Sequence, residues 1–595
     1  MVILAWIWGF ACLCLAALSL WPWLDGWLES LDESERLLIR LPLTIGLSFG
    51  ALTLWMLAAG FWRLNVWVAL AFPALVLPLS ARSSRSKFYL KNSALSAFSA
   101  VKSFLLALRR GDVKAWIMLA GLIALAVVLG QATYYPFTGD DEISRYAYYA
   151  RLIFTQGRVT AEVRGYPMFL PLAYSYVFFV TGQLAEQLAR LIPVLLSAST
   201  VIATAALGRR WFGARGGWAA AFMLIATPLY LQWSPDGYVD IPSALYFVLG
   251  AYAADVWLKR REMRWAVLAG VCAGLALWTK QAGFAMLPSL GLVFAWGMAR
   301  DWFGGKRELT ARAARDGLIA LAAAFIVGGL WYLRNVYYDG WGSAIPDPGA
   351  FYTQQADRSL EALIPFVGQF RAFGIFASPL YIIGLVWGLA KIKQAAWPLI
   401  WGLPYTLLWW WLYSYDPRFL LTVLPFYAAL AGGMIGWVVE TRIQTLSKMT
   451  RWTVIALIVL GTGASAVGSQ LGGLRQWVVA PTATYAERLV RAKGDLYPAV
   501  EFLRDHVPPD ARVLSMDGRL KYYLMDRPIS VYYPYTLKDL AGFDYFVVGS
   551  WWPSTYAGLG QSNSEVLRAF DDPHTLQQVY SGPTGGLVVY RVVRP

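Results

Sequence analysis

The sequence predicts a polytopic α-helical membrane protein that ends in a small α/β domain. Hydrophobic residues make up 58% of the 595 residues and charged residues 15%, against roughly 25% charged in soluble domains. Long apolar runs recur from the first residue to about position 470, and shorter alternating runs follow. The first pattern is typical of membrane-spanning helices, and the second is typical of strands and helices in an α/β unit.

The apolar runs predict about 13–14 membrane spans. They lie near 2–20, 41–62, 65–81, 115–133, 186–208, 216–232, 241–258, 265–278, 282–299, 316–338, 370–390, 395–413, 417–437 and 452–470. The first run has no basic flank and no small-residue cleavage site, so it is predicted to be a retained span. Three parts are expected: N-terminal helices and a basic loop over 1–114, a membrane domain over 115–470, and an α/β domain over 471–595.

The basic loops set the expected orientation. Segment 82–114 carries eight Lys or Arg residues and one acid, so the positive-inside rule places it in the cytoplasm. The next span then leads to an external loop, 134–185. Within it, 167–181 is short and contains two prolines, and we expect a juxtamembrane helix that does not cross. Every strongly basic loop then lies inside, including 208–215 and 259–264.

The C-terminal region alternates strand and helix patterns. Apolar runs at 511–517, 526–533, 543–550 and 586–593 predict strands, and 497–507 and 564–570 predict helices. Such alternation favours an α/β domain, which is long enough to form its own core.

Composition excludes several functions. The net charge of +15 is explained by basic cytoplasmic loops and contact with anionic lipid, so no nucleic-acid partner is expected. His506 and His574, the two histidines of the chain, both lie in the C-terminal region, which excludes a histidine metal site or proton relay in the membrane. The three cysteines fall in apolar segments, so no disulfide framework is implied.

Three adjacent acids, Asp140, Asp141 and Glu142, follow an apolar span at the start of the external loop. They are either a solvated loop or a general base or cation site in a cleft at the outer interface. The surrounding tyrosines suit an interface belt or a surface that stacks on sugars.

Further charged residues fall at predicted span ends on the same face. Asp236 and Asp240 precede a helix, where Asp240 suits a helix cap with Pro242 in the first turn. Lys280 is a lone cation between two apolar helices and either snorkels to the interface or meets an anion such as a lipid phosphate. The same two alternatives apply to Arg164, Arg334 and Arg418. Arg418 also has a neighbouring acid, Asp416, as a local partner.

These motifs, in this order, resemble the GT-C superfamily of membrane glycosyltransferases. The resemblance is to the branch with the protein O-mannosyltransferases of family 39 and the lipid A aminoarabinose transferases. It covers about 115–440 and rests on these stretches: GDDEI (139–143), YYAR (148–151), YPMFLPL (166–172), LGRRWFG (207–213), GYVDIPSALYF (237–247), LALWTKQAG (275–283), WYLRN (331–335) and DPRFLLTVLPF (416–426).

The resemblance implies an inverting transfer from a polyprenyl-phosphate-linked sugar to a hydroxyl acceptor on a protein, lipid or polysaccharide. Asp141 would be the base, with Asp140 as the neighbouring candidate, and phosphate charge would be balanced by Lys280, Arg418, Arg164 and Arg334. Glu142, Asp240 and Asp236 would orient Asp141, an acceptor or a metal. A divalent cation, Mg²⁺ or Mn²⁺, would be held by Asp141, Glu142 and Asp240. The expected location is the plasma (inner) membrane, among its lipids, with the site and the α/β domain outside.

Two other functions stay open on the sequence. A transporter or flippase of lipid-linked sugars would bury charges near the midplane of broken spans, whereas the charges here lie mainly at span ends. A non-catalytic assembly factor would not need the side chain of Asp141.

Overall fold

The computed structural model describes residues 2–83, 102–110, 112–343, 356–441, 471–552 and 564–593, with scattered positions between 453 and 468. Within these residues the chain is mainly helical, with one sheet near the C-terminus. Most of the predicted span 452–470 and of the basic loops 82–114 and 442–451 lies outside the described residues.

The N-terminal half contains most of the long helices. They are α1 Val2–Ala17, α2 Trp21–Leu28, α3 Glu33–Gly60, α4 Val66–Ser83, α5 Val113–Tyr134, α6 Tyr148–Gln156, α7 Phe169–Thr181, α8 Glu186–Ala189, α9 Leu191–Ile225, α10 Pro228–Trp233, α11 Asp240–Arg260 and α12 Met263–Thr279. A π-helix, Glu142–Ala147, precedes α6.

The second half begins with further membrane-type helices. They are α13 Met286–Phe303, α14 Arg307–Ala324, α15 Leu330–Asp339, α16 Leu360–Leu363, α17 Pro365–Gly368, α18 Phe370–Phe373, α19 Ala377–Ala390, α20 Ile392–Leu412 and α21 Leu424–Thr441. The 3₁₀ turns Gln281–Ala285, Trp341–Ser343 and Pro417–Thr422 and the π-helix Phe325–Gly329 lie between them. Seven helices of the described part are long and apolar enough to cross a membrane, and four more apolar helices have 10–17 residues.

The small α/β domain predicted at the C-terminus is confirmed. Its elements are α22 Leu471–Val479, α23 Tyr485–Lys493, α24 Leu496–His506, β1 Val513–Ser515, α25 Leu520–Tyr523, β2 Ile529–Val531, α26 Leu537–Leu540, β3 Tyr545–Gly549, α27 Glu565–Ala569, β4 Leu576–Ser581 and β5 Leu587–Val592. The sheet order is β2-β1-β3-β5-β4, with β1 parallel to both neighbours and β5 antiparallel to both of its own. The hairpin strand β4 was not predicted, because Gln577, Gln578 and Ser581 interrupt any apolar alternation in its sequence.

Glycine and proline shorten two of the predicted spans. The run 370–390 is broken at Gly374, whose φ of 97° favours glycine, and the helix proper is α19. The run 417–437 starts as a 3₁₀ turn, and α21 begins only at Leu424. Arg418 therefore lies in a turn at the mouth of a helix rather than inside a span.

Helix α9 is a hairpin of two helices. Gly213, with φ 78° and ψ 178°, breaks it within the predicted basic turn 208–215. Glycines then let the halves and α21 approach closely: a Cβ on Gly217 would lie 2.5 Å from the carbonyl oxygen of Ala205, and one on Gly432 would lie 2.6 Å from that of Gly216. Small residues permit such backbone contact between membrane helices.

Both ends of α7 lie on one side of the helical bundle. Before it, the Tyr166 ring lies 5.7 Å from the Tyr146 ring. After it, the Glu186 carboxylate accepts a 3.0 Å hydrogen bond from the Phe137 amide. Tyr146 and Phe137 belong to the same loop after α5, so this geometry agrees with the prediction that 167–181 does not cross.

Replacing Gly432 by valine should destabilise the helical bundle, because the new side chain would collide with the backbone of the α9 hairpin. Overpacking of this kind costs about 1–3 kcal/mol, and a thermal unfolding midpoint in detergent would report it. Gly291→Val is the matched control, since Gly291 also lies in a helix and a Cβ there meets open space. Equal midpoints for the two variants would contradict the packing described.

Candidate active site

The three adjacent acids point in three different directions. Asp141 has helical backbone angles and leads into the π-helix, and consecutive residues of a helix are rotated by roughly 100°. The Asp140 carboxylate consequently meets Lys493 and Arg519 of the α/β region. Asp141 meets Arg418, and Glu142 turns into the protein interior.

Glu142 fixes the backbone of the acidic loop. Its fully buried carboxylate accepts hydrogen bonds from the amides of Thr138 (2.9 Å), Gly139 (2.9 Å) and Gly237 (2.8 Å). Burial raises the pKa of this carboxyl to about 7, against the opposing charge of Arg190. Gly237 has no room for a side chain, because a Cβ there would overlap both Glu142 and the Tyr174 hydroxyl. Glu142 is therefore part of the loop's framework and not exposed to a substrate.

Arg190 completes that framework, and Asp236 is its partner. The arginine is 1% exposed, and its Nη2 lies 2.6 Å from Asp236 Oδ1. Nη1 donates to the carbonyl of Pro136 (2.8 Å), and Nε donates to that of Pro235 (3.2 Å). Asp236 thus ties the loop at 234–240 to the acidic loop, a different position from the predicted one beside an acceptor or metal.

Arg418 is the centre of a charge cluster. Its guanidinium lies 3.3 Å from Asp141, 3.4 Å from Asp416 and 3.8 Å from Asp240. Lys280 forms an ion pair with the other oxygen of Asp240. The cluster joins the acidic loop, the first residue of α11, the residue after α12 and the turn before α21.

Aromatic rings form the walls of this cluster. Tyr238, Phe419 and Trp233 place their rings 4.4, 4.9 and 5.1 Å from the Arg418 guanidinium carbon. The Phe419 ring also lies 4.2 Å from the Lys280 ammonium. Such contacts stabilise cations. The side chain of Asp141, beside these rings, is 30% exposed.

Burial shifts the pKa values of two charged groups in the cluster toward their neutral forms. Burial lowers the pKa of the Lys280 ammonium against the pull of Asp240. Burial likewise raises the pKa of the Asp416 carboxyl against the pull of Arg418. Both shifts favour the neutral forms, so the ion pairs are needed to keep these groups charged.

The structure does not bring the other two predicted cations to this cluster. Arg164 pairs with Asp339 at 2.7 Å, and both side chains are more than one-third exposed. Arg334 donates to the carbonyls of Val163 (3.0 Å) and Thr160 (3.3 Å). In the described part of the chain, neither guanidinium contacts Asp141, and both stabilise the loop at 160–165.

The predicted metal ligands do not converge. Glu142 is engaged by backbone amides, and Arg418 stands between Asp141 and Asp240. Among the residues that the structure describes, no group of three or more His, Cys, Asp or Glu side chains is arranged to hold a metal ion. As they are arranged in the described part of the chain, these residues do not fit a divalent cation.

Sequence reasoning missed three residues of the site. Arg190 holds the loop, Arg145 lies 3.8 Å from Asp141, and the Tyr238 hydroxyl accepts a 3.3 Å hydrogen bond from the Asp141 amide. Arg190 has part of the signal of Lys280, since it is a cation at the start of an apolar helix, but Glu186 lies four residues before it. Tyr238 has no such signal, because aromatic residues are common along the whole chain.

Part of the chain matches a known protein family, and its fold is similar to two solved structures. Residues 166–327 match the family model of dolichyl-phosphate-mannose-protein mannosyltransferases. The crystal structure of ArnT from Cupriavidus metallidurans bound to undecaprenyl phosphate is 18% identical, covers 81% of this chain and 99% of its own, and superposes with a TM-score of 0.52. AglB from Archaeoglobus fulgidus, in complex with an inhibitory peptide and a dolichol-phosphate, is 14% identical over 82% of this chain and 75% of its own, with a TM-score of 0.50.

A curated relative matches over a short stretch. The dolichyl-monophosphooligosaccharide–protein glycotransferase AglB of Haloferax volcanii is 27% identical over 137 residues, 19% of this chain and 13% of that protein. Together these likenesses define a membrane protein of the GT-C fold. The resemblance predicted from the motifs agrees with these findings: residues 166–327 match the mannosyltransferase family model, and the fold is similar to those of ArnT and AglB.

Replacing Arg190 by methionine should strongly destabilise the protein, because Asp236 and Glu142 would lose their buried cation. Breaking a buried pair costs about 3–5 kcal/mol, visible as a lower thermal unfolding midpoint in detergent. Arg312→Gln is the control: its pair with Glu308 is exposed on both sides and should contribute about 0–1 kcal/mol. Similar midpoints for both variants would mean that Arg190 does not hold the loop.

Proposed function

We propose that the protein transfers a sugar from a polyprenyl-phosphate-linked donor to a hydroxyl acceptor, with inversion, on the extracytoplasmic face of the membrane. The observation that carries the proposal is the meeting of Asp141 with Arg418 and Lys280 in one cluster at the ends of apolar helices. A carboxylate that can take a proton and two cations that can bind a phosphate are what this reaction needs. The cited structures of relatives with undecaprenyl phosphate and dolichol-phosphate support the donor class.

The reaction follows from the charges. The acceptor hydroxyl oxygen attacks the anomeric carbon, and its proton passes to the Asp141 carboxylate. The bond between that carbon and the phosphate oxygen breaks, and the phosphate leaves with the electron pair. Arg418 and Lys280 stabilise the charge that develops on the leaving phosphate. Proton loss from Asp141 to solvent then restores the base, which its partial exposure permits.

The cations are paired with carboxylates before the donor arrives. Asp240 holds both Lys280 and Arg418, so it keeps two basic side chains aimed at one point. A phosphate that binds there replaces part of this pairing with charge-assisted hydrogen bonds. Asp240 is therefore proposed to orient the phosphate ligands.

The position of the charges also bears on a transporter function. Asp240 begins α11, Lys280 follows α12, and Arg418 precedes α21. A transporter binds its substrate near the membrane midplane, at broken helices, whereas these residues lie at helix ends. The arrangement supports transfer chemistry at the interface.

Asp141→Asn should abolish transfer by purified protein in nanodiscs supplied with a panel of polyprenyl-phosphate sugars. The amide keeps the shape of the side chain but cannot take the proton, and loss of a general base costs about 10²–10⁴ in kcat. Asp140→Asn, whose carboxylate faces the α/β region, should be slower than the wild type but keep measurable transfer. Wild-type turnover by both variants would refute the assignment of the base, and sugar movement across liposomes without transfer would favour a flippase.

Arg418→Gln and Lys280→Met should weaken binding of the donor. Charge-assisted hydrogen bonds contribute about 1.5–3 kcal/mol each, so the donor Kd should rise about 10-fold or more in either variant. Arg164→Gln, a cation of the same face held by Asp339, should bind the donor like the wild type. Unchanged affinity in the first two variants would leave these cations without a role in binding phosphate.

A further inference from the structure

Asp140 connects the acidic loop to the C-terminal region. Its carboxylate oxygen accepts from Lys493 Nζ at 2.8 Å and from Arg519 Nη1 at 2.9 Å. Lys493 ends α23, and Arg519 lies in the turn between β1 and α25. The residue directly before the proposed base is therefore held by two cations from the far end of the chain.

Arg519 is aimed at Asp140 by another carboxylate. Asp517, which is almost fully buried, accepts from Arg519 Nε at 2.9 Å and from Nη2 at 2.5 Å. Two of the three guanidinium nitrogens are thereby fixed, and the remaining Nη1 reaches Asp140. Such a bidentate pair restricts the direction of the guanidinium, so Arg519 is pre-oriented for this contact.

Two other contacts fasten the same domain beside the loop. Glu186, which also binds the Phe137 amide, accepts from the hydroxyls of Tyr522 (2.6 Å) and Tyr485 (3.0 Å). Arg488 donates to the carbonyl of Tyr134 at 3.1 Å. The α/β region is thus attached along the whole stretch from the end of α5 to the acidic loop.

Asp141 itself has loose side-chain contacts. Its carboxylate lies 3.3 Å from Arg418 and 3.8 Å from Arg145 and is partly exposed. Its two neighbours have shorter polar contacts: Glu142 binds three amides, and Asp140, although its side chain is 67% exposed, binds two cations at 2.8 and 2.9 Å. The position of the base is therefore set mainly by the backbone between two anchored residues.

We propose that Lys493 and Arg519 are positioning residues for the transfer reaction: they hold Asp140 and thereby keep the Asp141 carboxylate against Arg418. The proposal rests on the proposed function, because it assigns Asp141 as the base. The α/β domain would then affect catalysis indirectly, through Asp140, without contacting the reacting atoms. Misplacing a base by about 1 Å can cost on the order of 100-fold in rate.

The test compares full-length Asp140→Asn, Lys493→Gln and Arg519→Gln with the wild type in nanodiscs. Hydrogen exchange of the amides at 138–147 should become several-fold faster, because the anchor on one side of Asp141 is lost. The single-turnover rate at saturating donor should fall about 10- to 100-fold, while the donor Kd stays within about twofold, since Arg418 and Lys280 are intact. Arg519→Lys should recover part of the rate.

A double variant separates positioning from general damage. Asp140→Asn combined with Arg519→Gln should be no slower than the slower single variant, because both remove the same contact. Arg568→Gln, an exposed arginine on α27, should match the wild type in every measurement.

Three results would overturn the proposal. Unchanged exchange in Arg519→Gln would show that the clamp does not hold the loop, and faster exchange with a normal rate would show that it does not position the base. Additive losses in the double variant would show that Arg519 acts elsewhere. Turnover by Asp141→Asn would instead refute the proposed function, while the exchange data would still report on the clamp.

Discussion

Pairing of charges at the ends of apolar helices is the constraint on which the candidate site depends. An isolated ion in such a place is unfavourable by several kcal/mol, so each buried charge needs a partner of opposite sign. Arg418 is the positively charged partner of carboxylates from three segments, one of them 277 residues away along the chain. The need for pairing thus brings the acidic loop, the start of α11 and the turn before α21 together around one guanidinium.

The rotation of successive residues explains why one short acidic stretch has three separate tasks. Asp140 binds the α/β region, Asp141 contacts Arg418 and is partly exposed, and Glu142 holds the loop from inside. In a strand, the first and third acids would share a face, and the division would be lost. The π-helix that begins at Glu142 is therefore part of the site's design, because it sets where the middle carboxylate points.

The fold class and part of the site could be predicted from the sequence, because both leave local signals in it. Lys280 is conspicuous as a lone charge and Arg418 as a cation at the start of an apolar run, and alternating runs identified four of the five strands. The partners of those charges were harder to predict. Arg190 and Asp236 are 46 residues apart, and nothing local indicates that they pair. The predicted set of Asp141, Glu142 and Asp240 does not converge in the described part of the chain for the same reason, since side-chain direction depends on the fold.

The helices before the acidic loop have a structural explanation. Helix α7 has 13 residues, about 20 Å at 1.5 Å per residue, and is too short to cross a hydrocarbon core of about 30 Å. It is nevertheless buried along its length, and α1 supplies part of the cover: Trp8 donates to the Val180 carbonyl at 3.0 Å, and the Tyr176 hydroxyl donates to the Cys12 carbonyl at 3.1 Å.

The N-terminal helices are fastened at both ends. Glu35 pairs with Arg210 at 3.0 Å on the side of the basic loops, and the Val159 amide donates to the Gly60 carbonyl at 2.7 Å on the side of the acidic loop. These contacts matter to the site through α7, whose Tyr174 ring lies 5.1 Å from that of Phe137, three residues before Asp140. The N-terminal helices therefore support the acidic loop through α7, and the α/β domain supports it through Asp140 and Glu186. The proposed base lies between these two supports, and each of them restricts its movement.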